Sequence, residues 1–132
     1  MGIVGRLFGP GTTVLVLTMG PALAQQSPYT PAAGSAERRA IFDAMRKGGE
    51  DRARVFVVRH LKVADGWAWA AGEPRSKDGA NRYEPESALL RREGAGWKVV
   101  ARPCGEAECE EASERARIRA AFPRAPAGIF AP

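Results

Sequence analysis

His60 is the only histidine in the chain. With Asp65 and Glu73 it supplies three possible general bases within one stretch, RVFVVRHLKVADGWAWAAGEPR, residues 54–75, which also holds Trp67 and Trp69. Acid–base work would need one of them within hydrogen-bond reach of a second polar group in a pocket, the arrangement of a small hydrolase or isomerase with its site in a concave sheet. His60 has no second histidine or cysteine pair with which to hold zinc. It also has no neighbouring serine in a nucleophile-elbow context. It reads as a half-exposed strand residue, and the sequence assigns no catalytic, cofactor or metal-binding residues. Cys104 and Cys109, in CGEAEC, lack the C-x-x-C spacing of redox motifs. In an exported chain so small an even count reads as one disulfide, pinning the turn after the last strand.

Export is read from the first 24 residues. Arg6 gives a positive start, Leu7 to Met19 is apolar apart from Gly, Pro and Thr, and Ala22 and Ala24 form an A-x-A cleavage site before Gln25. That is the layout of a secretory signal peptide, shorter in its apolar run than a membrane span needs. The expected location is periplasmic or secreted, with the membrane met only through the leader. Of 20 Lys and Arg against 15 Asp and Glu, the leader holds only Arg6, so a mild positive excess remains after cleavage. That excess suits an anionic envelope component. Nucleic acid is not expected, because exported chains seldom meet it and the arginines are interleaved with glutamates.

The elements that position these residues follow from spacing. Residues 25–34 are polar, carry two prolines and read as a flexible lead-in. Ser35 caps a helix with Glu37 in its first turn and Ile41, Phe42, Ala44 and Met45 as its apolar stripe, and Gly48-Gly49 stops it. The 54–75 stretch is a hairpin around Asp65-Gly66. A three-residue loop, Ala64 to Gly66, would set Val63 opposite Trp67 and Leu61 opposite Trp69. That gathers Val55, Val57, Leu61, Val63 and both indoles on one face, with Arg59 the misfit and His60 behind. A two-residue turn would scatter the apolar set over both faces, so the longer loop is expected. Residues 83–93 form a third strand with an irregular start at Pro85. Trp97 opens a fourth, with Leu90 opposite Val99 and Ala88 opposite Ala101. A C-terminal helix follows, with a Glu111–Arg115 pair and an apolar contact of Ile118, Ala121 and Phe122. The tail, 123–132, carries Ile129 and Phe130, to dock on the sheet or on a partner.

The expected fold is α+β: a helix packed on a four-stranded antiparallel meander, then a short helix, in one domain over 35–122. Gly66-Trp67 and Gly96-Trp97, each opening the second strand of a hairpin, resemble the hairpins of small secreted bacterial domains of unknown function. The overall shape is similar to the cystatin-like and NTF2-like group. That resemblance covers 35 to about 103 and implies a shape rather than an activity. The functional expectation is an exported, non-enzymatic binding or accessory module, its partner an unknown protein or an anionic envelope component. An inhibitor or immunity-type protein is the alternative, and a small NTF2-like hydrolase a third. Partner contacts are expected at Phe56 and Val58, left over with Leu89 and Val100 on the second sheet face, and at Arg75, Lys77 and Arg82 in the basic loop. Oligomeric state is left open.

Overall fold

The computed structural model describes residues 26–46 and 52–132, together with Gly9, Gly11 and Gly20. The expected leader, its cleavage site at Ala24/Gln25 and the Gly48-Gly49 helix stop lie outside the described residues. Helix α1 (Ala36–Met45) is followed by strands β1 (Val55–Ala64), β2 (Trp67–Arg75), β3 (Glu86–Glu93) and β4 (Gly96–Ala101), helix α2 (Glu111–Ala121) and a 3₁₀ turn at Ala127–Phe130. The strands pair antiparallel in chain order. This is the α+β meander expected from the sequence. Ser35 caps α1, its hydroxyl accepting from the Arg38 amide.

The β1–β2 register is the one the sequence argued against. Ala64 stands opposite Trp67 and Lys62 opposite Trp69, closed by a two-residue turn. Asp65 and Gly66 both have positive φ, 50° and 77°. That is the type I′ requirement, whose twist matches the twist of the strands it joins. The apolar residues are indeed split between two faces, and both faces are covered. The expectation of a longer loop assumed one buried face.

A bulge sorts the rest of β1. Val58 pairs with Gly72 and His60 with Ala71, so Arg59 is the extra residue. An inserted residue inverts the alternation. Phe56 and Val58 before it thereby share a face with Leu61 and Val63 after it, all packed toward α1. The misfit Arg59 marks the bulge; its side chain is exposed and meets Glu73 at 2.8 Å. A second irregularity in β4 pairs Leu89, not Ala88, with Ala101, while Leu90 stands opposite Val99 as expected. Ala101 therefore packs with Val100 on the far face.

Two cores result. On one side Ile41, Phe42 and Met45 of α1 pack on Leu61, Val63 and Leu90 across a floor of Ala68, Ala70 and Ala88. On the other, Trp67, Trp69 and Leu89 lie under Ile118, Ile129 and Phe130. Trp69 meets Phe130 at 5.2 Å between ring centres, and Trp67 meets Phe122 at 6.1 Å. Ala121, expected in the α2 contact, is exposed. The tail supplies more of this cover than α2, which buries only Ile118 fully. Cys104 and Cys109 are bonded, with Cα atoms 5.8 Å apart, and the Cys104 amide donates to Glu114 of α2 at 2.8 Å.

Residues 26–30, expected as a flexible lead-in, are tied to the outer edge of β1. Tyr29 and Val63 exchange backbone hydrogen bonds of 2.9 and 2.8 Å, and the Thr30 hydroxyl donates to the Leu61 carbonyl at 2.8 Å. The Gln26 amide donates to Asp65 at 3.0 Å. This strap satisfies backbone groups that β1, as an edge strand, would otherwise leave open. It also lies against the tail, because a Cβ on Gly128 would come within 2.6 Å of Pro28.

With Ile129 fully buried, Ile129→Ala should lower stability by about 2–4 kcal/mol, from lost burial plus the cavity left behind. Urea unfolding followed by tryptophan fluorescence measures this. A change below about 0.5 kcal/mol would mean that the tail is not part of the core.

Candidate functional site

The three possible general bases do not meet in a pocket. His60 lies on the same face as Trp69, contrary to the expected register, but that face is sealed by the tail. Its Nε2 donates to the Ile129 carbonyl at 2.8 Å, tying the 3₁₀ turn to β1. Lys62, two residues on, reaches the backbone oxygen of Pro132 at 2.6 Å. Asp65 occupies the hairpin turn and accepts from Gln26. Glu73 is held by arginines: Arg59 at 2.8 Å, Arg75 at 3.1 Å and Arg82 at 3.9 Å. Hydrogen bonds from Arg59 and then Arg75 hold its carboxyl below the usual glutamate range. Among the described residues no group of three or more His, Cys, Asp or Glu could hold a metal.

The residues expected to contact a partner are redistributed. Leu89 and Val100 are covered by α2 and the tail. Phe56 and Val58 are not on that second face at all, because the Arg59 bulge turns them toward α1. The Phe56 ring packs on Phe42 at 5.1 Å, and Gly72 permits this, since a Cβ there would meet Phe56 at 3.0 Å and Phe42 at 3.4 Å. Arg75 and Arg82 turn to Glu73. Lys77 goes elsewhere, to the rim of a groove whose floor includes Phe56 and Val58.

That groove, of about 400 Å³, lies between α1 and the first half of β1. Its rim carries Arg38, Arg39, Arg46, Arg52, Arg54 and Lys77, with Asp43 the one carboxylate among its described lining residues. Three of the arginines are fixed by contacts. Arg46 pairs with Asp43, stacks over Phe56 at 5.4 Å and donates to the Arg54 carbonyl at 3.1 Å. Arg54 stacks on Tyr83 at 3.7 Å. Arg38 donates to the Pro31 carbonyl at 3.3 Å. Arg39, Arg52 and Lys77 are exposed, and salt bridges among the described residues do not include them.

The Lys77 loop is shaped by Asp78, which accepts from the Ser76 hydroxyl at 2.5 Å and the Ala80 amide at 3.0 Å. Those bonds hold the Asp78 carboxyl below its usual range, and the Asn81 amide closes the loop on Ser76 at 2.9 Å. Lys77 is thus presented on a stapled turn. Sequence reasoning found Phe56, Val58 and Lys77 but missed the five arginines. The signal for four of them was present in ERR at 37–39 and RAR at 52–54, two groups that folding brings to one rim.

The groove carries the donors an anion needs. Its rim offers guanidinium and ammonium donors, which suit carboxylate or phosphate oxygens, and its floor is apolar. Comparison with family models, with curated proteins and with solved structures returned no match.

Because Glu73 titrates below its unfolded value near 4.5, the folded state favours the carboxylate. The resulting stabilisation is complete above that value and is lost as the pH falls through the lower folded one. Glu73→Gln should therefore be less stable than the parent at pH 7, and the two should converge as the pH falls below the lowered folded value. Thermal melts across that range test this, and a gap independent of pH would assign the loss to packing instead.

Proposed function

We propose that this protein is an exported, non-enzymatic binding module of the bacterial envelope whose ligand is anionic and occupies the groove beside β1. The observation that carries the reading is the gathering, among the described residues, of six cations and one carboxylate over an apolar floor, with Arg39, Arg52 and Lys77 left to a ligand. Such a rim draws an anion more than one isolated surface charge does, because its cations act together over a single groove, with Arg38, Arg46 and Arg54 held in place by stacking and carbonyl contacts. Each possible general base has a structural partner, which favours binding over catalysis. Export rests on the leader pattern. The bonded Cys104–Cys109 pair is compatible with it, and no helix among the described residues is long and apolar enough to cross a membrane.

The test is binding of three labelled polyanions, polyglutamate, polyphosphate and phosphatidylglycerol vesicles, to the parent and to an Arg39→Ser, Arg52→Ser, Lys77→Ser variant. At least one should bind, weaken as salt rises, and lose roughly tenfold or more in the variant. Failure of all three to bind, or equal binding by the variant, would overturn the reading. Export has its own check. Intact mass of the protein recovered from the periplasm should begin at Gln25 and be two hydrogens light, and a mass retaining the leader would refute cleavage.

A further inference from the structure

We infer that the open half of β1 takes up an acidic, extended polypeptide segment, which pairs with the strand's outer edge while its carboxylates meet the groove cations. This rests on the groove being the binding site and names the class of its ligand.

β1 is the outermost strand of the sheet. Its second half is occupied by the Tyr29–Thr30 strap. Its first half has no such strap among the described residues. The pairing across the sheet shows which backbone groups face out. Phe56 stands opposite Pro74, which has no N–H and whose carbonyl accepts from the Tyr83 amide at 2.9 Å. In an antiparallel ladder, opposed residues either exchange both hydrogen bonds or turn both sets away from each other. Phe56 therefore turns its N–H and C=O outward, and so does Val58, which has the same parity. Arg54, two residues earlier, agrees: its carbonyl already accepts from Arg46 on the groove side. Phe56 and Val58 make no backbone hydrogen bond outside the β1–β2 ladder to any described residue.

An edge of this kind is a template for strand addition, and charge selects what is added. A second copy docked edge to edge would bring two sets of groove cations together, which is repulsive. A neutral strand would leave Arg39, Arg52 and Lys77 without counter-charge. An acidic strand matches both the ladder and the rim, with alternate side chains over the groove. It would also shield Val55, at 41% exposure the one exposed large apolar side chain among the described residues.

The test uses a labelled peptide of alternating Glu and Val, and the same peptide N-methylated at alternate residues, which keeps the charge but removes one edge of donors. The parent peptide should bind, methylation should weaken it roughly tenfold, and amide exchange at Phe56 and Val58 should be fast in the free protein and slow in the complex. Equal binding of the two peptides would overturn strand addition. So would protection of the Phe56 and Val58 amides before any peptide is added. Polyphosphate or lipid binding that is lost in the triple variant, without peptide binding, would keep the groove and refute this ligand class. If no anion binds, the groove reading fails as well.

Discussion

Asp65 and Gly66, both at positive φ, decide which way the side chains of the central hairpin face as far as the Arg59 bulge. A two-residue turn fixes Ala64 against Trp67, and the two-residue alternation of a strand carries that choice along both strands. Leu61, Val63, Ala68 and Ala70 go to the α1 side, and Trp67 and Trp69 go to the other. A sheet so loaded exposes two apolar faces and needs two covers. α1 supplies one. The other combines Ile118 of α2 with Ile129 and Phe130 of the tail, so a segment that looks like an appendage closes a core. The hydrogen bond from His60 to Ile129 then acts as a latch, joining the tail to the strand whose register created the need for it.

The bulge at Arg59 is the second constraint, and it makes the groove. Without the extra residue, Phe56 and Val58 would lie with His60 and Lys62 on the tail side, and Val55 and Val57 would face α1 in their place. With it, the Phe56 and Val58 side chains reach Phe42, and Gly72 removes the one Cβ that would block the approach. The same strand is thus buried at one end beneath the strap and left with an open margin at the other. Arg59 itself is drawn off by Glu73, as are Arg75 and Arg82.

Element order, the disulfide, the Ser35 cap and the Leu90–Val99 register were legible in the sequence, because each rests on local chemistry: a capping hydroxyl, a short cysteine spacing, a glycine turn. The β1–β2 register was not. Both registers fit the local pattern, and the choice depended on how many faces are buried, which is a property of the whole chain. Arg59 stands out in the sequence as a misfit on its face, and the bulge accounts for it. The strap was missed because QSPYT has little apolar content and binds chiefly through backbone and hydroxyl groups, which hydrophobic periodicity does not register. Of the groove, only the floor and Lys77 were visible, since its arginines come from segments that folding alone brings together.

Net charge would have been a poor guide to this site. The chain's overall excess of +5 is mild, and most of its arginines are paired with carboxylates, among them Glu73, Asp43, Glu111 and Glu114. Committed cations neither steer nor bind strongly, because their field is cancelled within a few ångströms. What distinguishes the groove is the partition of carboxylates: Glu73, paired with Val57, gathers three arginines on the sheet face opposite Phe56 and Val58, and among the described lining residues Asp43 is the one carboxylate beside six cations. The placement of acids, more than the number of bases, leaves this margin of the sheet with its excess of cations among the described residues.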